Sequence, residues 1–232
     1  MSVRGRIIVG VGTDVALKAQ ALGKSYEMST GPLWVLRNIS LQVKVGQYLA
    51  VVGPSGCGKT TLLSILAGLD VPSEGDVRVF GTGLKGMTES RLARLRLGTI
   101  GFVFQASYLL PTMTAFQNVC VPLLLLGTVD TSERARSLLE AVGLGNRLHH
   151  YPSQLSAGEQ QRVAIARALS TGPRIIFADE PTGNLDQVSS SAIVELLMAA
   201  KNRGAALVLA THDRNLADAA DNVLSLKKGL QS

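Results

Sequence analysis

Gly53-Pro54-Ser55-Gly56-Cys57-Gly58-Lys59-Thr60 decides how this chain is read. The stretch fits G-x-x-x-x-G-K-[ST]. It lies between an apolar run, Tyr48-Leu49-Ala50-Val51-Val52, and a helical pattern from Lys59 to Ala67, which is the context the motif requires. A triphosphate needs many donors aimed at one point. Glycines let backbone N–H groups turn inward with no Cβ in the way, and the N-terminus of the following helix adds the positive end of its dipole. Lys59 would reach the β- and γ-phosphates, and the Thr60 hydroxyl would ligate Mg²⁺. The expected phosphate site is therefore Gly53 to Thr60 with Thr61 beside it. Cys57, inside the loop, invites a redox reading because a helix N-terminus and a lysine lower a thiol's pKa. The simpler reading is a position that tolerates a small side chain.

Two further apolar runs resemble the one before the loop: Ile175-Ile176-Phe177-Ala178 and Ala206-Leu207-Val208-Leu209-Ala210. None alternates with polar residues, as suits strands buried on both faces of a parallel sheet. Polar chemistry follows each run, namely the glycine loop, Asp179-Glu180 and Thr211-His212-Asp213, at the strand ends where open α/β sheets place ligands. Helical patterns lie between them, at Glu133 to Val142 with Gly143 as the stop, and at Ser189 to Ala200 with Ile193, Val194, Leu196 and Leu197 on one side. The alternation predicts an α/β fold.

The 232 residues, 46% of them apolar and 17% charged, exclude a disordered chain and predict one domain. The longest apolar stretch, Val119 to Leu126, is far shorter than the roughly 20 residues of a membrane span. Cys57 and Cys120 are too few for a disulfide framework, and nothing resembles an export signal, so a reducing cytoplasm is expected. A net charge of +6 spread over this length points to no particular partner. Arg91, Arg94 and Arg96, with Leu92 and Leu95 at helical spacing, read as a solvated helix face, and no nucleic-acid role is expected. His149-His150 reads as surface. Residues 1–14 are expected to be a loose tail, with the domain over 15–232. Thr114 to Gln160 interrupts the alternation with helical pattern, and Thr114-Ala115-Phe116-Gln117 spells a capping box.

Asp179 and Glu180 close the second apolar run as adjacent carboxylates. Beside a phosphate loop, Asp179 is expected at the metal, and a glutamate set as base, Glu180, points to hydrolysis of the bound nucleotide.

Leu155-Ser156-Ala157-Gly158-Glu159-Gln160 precedes that acidic run and is a variant of L-S-G-G-Q/E. With it the chain resembles the ATP-binding-cassette ATPases over nearly its whole length. The resemblance implies roles for further residues. Tyr26 stands where the family stacks an aromatic on adenine, Gln105 after Phe102-Val103-Phe104 looks like the Q-loop, Asn184-Leu185-Asp186 like the D-loop, and His212 like the switch histidine. Gln105 would join Thr60 and Asp179 at the metal. It also implies the fold, a P-loop NTPase core with an antiparallel β subdomain and a helical insertion over about 106–162. ATP and Mg²⁺ follow as ligands, and so does a head-to-tail dimer, of identical chains or with a second ATPase. In that dimer Ser156, Ala157, Gly158, Glu159 and Asp186 act on the partner's nucleotide. Ala157 departs from the usual glycine, and its methyl would strain a positive φ.

The stretches Gly101 to Gln105, Leu109-Leu110-Pro111, Asn118 to Leu126 and Ala178 to Asp186 are similar to the lipoprotein-releasing and macrolide-exporter ATPases. The implied function is ATP hydrolysis driving a separate transmembrane permease from the cytoplasmic membrane face, in export or lipoprotein extraction. The alternative is a regulatory ATPase signalling through a non-transporting membrane partner, as in cell division. Leu123 to Leu126 offers either a core helix or apolar surface for the partner, and Lys227-Lys228 a weak lipid contact.

Overall fold

Ahead of the phosphate loop the chain forms a long hairpin. The computed structural model describes residues 14–29, 31–183 and 185–227. β1 (Val15–Met28) and β2 (Gly31–Lys44) pair antiparallel along nearly their whole length, with Val15 opposite Lys44 and Tyr26 opposite Leu33. β3 (Tyr48–Val52) then leads into α1 (Lys59–Leu66), and β4 (Glu74–Val79) and β5 (Thr82–Gly83) return to the hairpin, making an antiparallel sheet in the order β2-β1-β4-β5. Next come α2 (Glu89–Thr99), β6 (Ile100–Val103), α3 (Ala115–Leu125), α4 (Thr131–Ala141), a 3-10 turn at Pro152–Gln154 and α5 (Ala157–Leu169). The chain ends in β7 (Ile175–Asp179), α6 (Gln187–Asn202), β8 (Ala206–Ala210), α7 (Arg214–Asp218) and β9 (Asn222–Ser225). The second sheet is parallel throughout, in the order β6-β7-β8-β3-β9.

The three apolar runs are the central strands β3, β7 and β8, and every residue of β7 and β8 is buried. Their side chains alternate between two cores, as the period of a strand requires. Ile175, Phe177 and Val208 face α1 and the antiparallel sheet, packing with Leu17, Leu62 and Val79. Ile176, Ala178 and Leu207 face the other way, onto Ile165 of α5 and Ile193 and Leu197 of α6. Tyr48 belongs to this second core and donates its hydroxyl to the Leu216 carbonyl at 2.7 Å. Burial, with the charge of Asp213 behind it, pushes that phenol up to about 12, so it stays a donor at any physiological pH.

The helical segment has a core of its own, in which Val119, Leu123, Leu139, Leu148, Val163 and Ala166 meet. Helix α5 runs past residue 162 without a break: Val163 and Ala166 face the helical core, whereas Ile165 and Leu169 face the parallel sheet. The capping box at Thr114 is present. Its hydroxyl accepts from the Gln117 N–H at 3.2 Å, and the Gln117 side chain accepts from the Thr114 N–H at 2.9 Å. Gly143 follows α4 at φ +73°, the left-handed stop its sequence position predicts, while the helix starts at Thr131, two residues before Glu133.

The leucine run divides. Leu123 is 1% exposed and belongs to the helical core, whereas Leu124 and Leu125 are 64% and 69% exposed. The apolar surface is thus the end of α3 without Leu123, because helical residues step about 100° apart and a run of four cannot all lie on one face. Arg91, Arg94 and Arg96 lie on α2, which buries none of its residues, and Arg96 is tied to Glu89 and to the Gly68 carbonyl. His149 is exposed and His150 half-buried against Arg147. The expected tail lies outside the described residues up to residue 13, as do Asn184 and Lys228.

Candidate nucleotide site

At the carboxyl end of β3 the chain turns through Gly53 to Gly58 into α1. Two glycines there are obligatory. A Cβ on Gly53 would lie 2.5 Å from the Leu226 carbonyl oxygen and 2.7 Å from Cys57 Sγ. Gly58 caps α1 at φ +97°, where a Cβ would also press on Val35 and Leu36 at 3.0 Å. Cys57 points inward from the loop and is buried in the first core, packing rather than facing the cavity.

β7 ends beside this loop. The Thr60 hydroxyl donates to Asp179 Oδ2 at 2.6 Å. Asp179 is 3% exposed, and burial pushes its carboxyl above the usual carboxylate range; the Thr60 hydrogen bond opposes this and the charge of Glu180 adds to it. The Lys59 ammonium donates to the Gly53 carbonyl at 2.9 Å and stands 3.7 Å from Glu180 Oε1. Glu180 Oε2 lies 2.8 Å from His212 Nδ1.

Glu180 holds this place through an unusual backbone. Its φ is +47°, in the left-handed region that costs a residue with a Cβ about 1–2 kcal/mol. The Glu180 N–H, donating to the Ala210 carbonyl at 3.0 Å, continues the sheet one residue beyond β7. The reversal that follows sends Glu180 and Asp179, neighbours in sequence, to different partners.

A cavity of about 360 Å³ gathers Ser55, Gly56, Gly58, Lys59, Thr60, Thr61, Gln105, Asp179, Glu180 and His212, residues from four separate stretches of chain. Gly53, Pro54 and Cys57 shape the loop behind it and do not line it. A larger cleft, about 650 Å³ between α4 and α6, holds none of these residues. Convergent donors and carboxylates, not volume, mark the site. The donor set suits a divalent cation at Thr60 and Asp179, because a desolvated carboxylate beside a hydroxyl is relieved by positive charge.

Two groups of predicted residues stand elsewhere. Tyr26 is 43% exposed on β1, with its hydroxyl 3.5 Å from Asp70 and the Lys24 ammonium 5.1 Å from its ring centre, and it does not line the cavity. Ser156, Ala157, Gly158, Glu159 and Asp186 do not line it either. Ser156 caps α5. Its hydroxyl accepts from the Glu159 N–H at 3.2 Å, and Glu159 accepts from the Ser156 N–H at 2.8 Å, which holds that carboxyl below its ordinary value. Ala157 is the first helical residue, with no positive φ, so the strain expected of its methyl does not arise. At Gly158 a Cβ would press on Leu185 Cδ2 at 3.2 Å. Asp186 caps α6 through Ser189. Val35, which lines the cavity from β2, went unnoticed in the sequence, where nothing sets it apart from other strand valines.

Replacing Asp179 by Asn separates stability from cation binding. A carboxyl held above its ordinary value favours folding while protonated, and that contribution is lost as pH rises through its shifted value. With no charge to bury, Asp179→Asn is expected to melt above the wild type at neutral pH without nucleotide, the gap closing in acid. Turnover should fall at least tenfold. A melting scan across pH, paired with a phosphate-release assay, checks both; an Asn variant less stable at neutral pH would show that the carboxylate is well compensated.

Fold and site together define a P-loop nucleotide-binding protein with an α/β core and a helical insertion. The profile of the family described as "ABC transporter" matches residues 36–183. The chain belongs to that family. It is 46% identical over 220 residues to the lipoprotein-releasing system ATP-binding protein LolD of Xylella fastidiosa, covering 94% of this chain and 92% of that one. Against the macrolide export ATP-binding/permease protein MacB of Bdellovibrio bacteriovorus the identity is 43% over 211 residues, 91% of this chain but 32% of that longer protein. Among solved structures, the ATP-binding cassette MJ0796, a dimer in a post-hydrolysis state bound to ADP and Pi, superposes with a TM-score of 0.87 at 37% identity, covering 90% of this chain and 94% of that chain.

Proposed function

We propose that this chain is the ATP-hydrolysing subunit of a transporter of the lipoprotein-releasing or macrolide-exporting type, working as an ATP-sandwich dimer on a separate transmembrane permease. The observation that carries the reading is Glu180, clasped between Lys59 and His212 and next to the Thr60–Asp179 pair. Lys59, the loop N–H groups and the start of α1 neutralise the β- and γ-phosphates. Thr60, Asp179 and Gln105 would hold Mg²⁺, which when bound supplies further charge neutralisation there. Glu180 orients the attacking water and takes its proton. His212, 2.8 Å from that carboxylate and 75% exposed, stands beside it and would face the γ-phosphate side. Tyr26, exposed near the end of β1, would stack on the adenine.

The signature residues have no work at their own chain's cavity, which supports their action in trans. There Ser156 and the N-terminus of α5 form a second anion-binding end. Asp186, at the start of α6, would act on the partner's nucleotide as well. Transport is favoured over the regulatory reading by the lipoprotein-releasing and macrolide-export relatives.

The permease contact is the cleft between α2, β6 and α3, about 520 Å³, floored by Leu97, Phe102 and Phe104 and walled by Leu125. No helix among the described residues is long and apolar enough to cross a membrane, so attachment at the cytoplasmic face runs through this contact. Because Leu125 is 69% exposed, Leu125→Glu should leave folding and ATP binding intact and cut co-purification with the permease at least tenfold. Unchanged co-purification would move the contact elsewhere. The overall assignment is tested by reconstituting the chain with its permease in vesicles and measuring ATP-dependent release or export. ATP hydrolysis that no membrane partner alters would count against it.

A further inference from the structure

Gln105 lines the nucleotide cavity as an exposed side chain, and among the described residues that side chain makes no hydrogen bond. Its aim is therefore set by its backbone. The peptide group that enters Gln105 carries the Phe104 carbonyl oxygen, and that oxygen accepts a hydrogen bond at 2.9 Å from Gln161 Nε2 on α5. Gln161 is 4% exposed. It sits five residues after Ser156, on the second turn of the helix whose first turn is the signature.

Neighbouring contacts hold the same segment to the same helix. Gln160 accepts from the Ser107 hydroxyl at 3.2 Å, and Arg167 donates to the Ser107 and Tyr108 carbonyls at 2.9 and 2.8 Å. These act two and three residues beyond Gln105. Only the Gln161 bond falls on the peptide plane that turns Gln105 itself, and a plane cannot rotate without breaking a bond to its own oxygen. A buried amide would otherwise be costly here, since an unpaired donor at 4% exposure loses its water for nothing.

We infer that Gln161 is a positioning residue for Gln105, tying the Phe104–Gln105 peptide to the signature helix. The inference rests on the placement of Gln105 in the nucleotide site and adds to it the residue that aims it. Movement of α5 when the signature engages a partner then turns Gln105 directly, and a shift at Gln105 is felt at Ser156 through a single hydrogen bond and one turn of helix.

Gln161→Leu removes the donor at similar size, and Gln161→Glu replaces it with an acceptor facing a carbonyl. Position is read first, without nucleotide, from a spin label on Gln105→Cys, the native Cys57 and Cys120 being buried. In both Gln161 variants the label should move more freely than with Gln161 present, while melting temperature stays within a few degrees for Gln161→Leu. Turnover is read next as a double-mutant cycle with Gln105→Ala. Each single change is expected to lower kcat about tenfold, the upper net worth of one hydrogen bond, with nucleotide affinity changed less than threefold. The double variant should be no slower than the slower single, because both remove the same aimed group. Unaltered label mobility overturns the inference, and so does an additive, roughly hundredfold loss in the double variant. Freer mobility with an inert Gln105→Ala supports the positioning role and removes Gln105 from the metal site.

Discussion

Glu180→Gln is expected to bind ATP at near wild-type affinity and to turn it over about 10²–10⁴-fold more slowly, the usual worth of a general base. The exchange keeps the shape of the side chain and removes its charge and basicity. The amide still fits beside Lys59 Nζ and His212 Nδ1, which stand 3.7 and 2.8 Å from the two carboxylate oxygens, so the phosphate loop should hold its conformation. Nucleotide binding followed by a fluorescent analogue and turnover by phosphate release check the two halves separately. Lys59→Ala is the contrasting case. It removes a positive charge from the phosphate cradle and should weaken binding as well as turnover. A Glu180→Gln protein with turnover near wild type would remove Glu180 from the reaction.

The same variant, unable to clear its ATP, is expected to run as a dimer with ATP and as a monomer without it. The signature's first-turn donors lie apart from their own chain's cavity, and a triphosphate with Lys59 on one side has an anionic face left for a second helix N-terminus. Closing that face joins two such sites at once, so the transition from monomer to dimer should be steep in ATP. Light scattering across protein concentration decides it: doubling of mass on adding ATP is the expected result, and a strictly monomeric ATP-bound protein at high concentration would overturn the sandwich. Gly158→Val, whose added Cβ would already lie 3.2 Å from Leu185, should abolish the dimer while leaving ATP binding by the single chain.

The nucleotide-binding core was legible because its signals are local. A loop of glycines ending in Lys59-Thr60 states its own purpose, and short apolar runs followed by polar chemistry suit buried strands, as β3, β7 and β8 are. The capping box at Thr114 and the stop at Gly143 were equally local, each needing only neighbouring backbone. The hairpin of β1 and β2 was expected only as an antiparallel portion, since its strands are half-exposed and their pattern is broken by register shifts. Val35 and Gln161 carried no signal at all. A valine in a strand and a glutamine in a helix are ordinary until a neighbour from another part of the chain gives them a role.

The leucine run and the acidic pair mark the boundary between the two kinds of information. Sequence by itself determined that Leu123 to Leu126 lies on a helix and that Asp179-Glu180 closes a buried strand, because periodicity and apolar run length act within one element. Which leucine faces the helical core, and that Glu180 turns to φ +47° to meet Lys59 and His212 while Asp179 stays with Thr60, was decided only by the tertiary structure. Those outcomes depend on what packs opposite, and the partners come from other elements, Leu139 of α4 for Leu123 and Thr60, 119 residues away, for Asp179. Pattern along a chain records how one element meets water and oil; the partner it meets is recorded only in the fold.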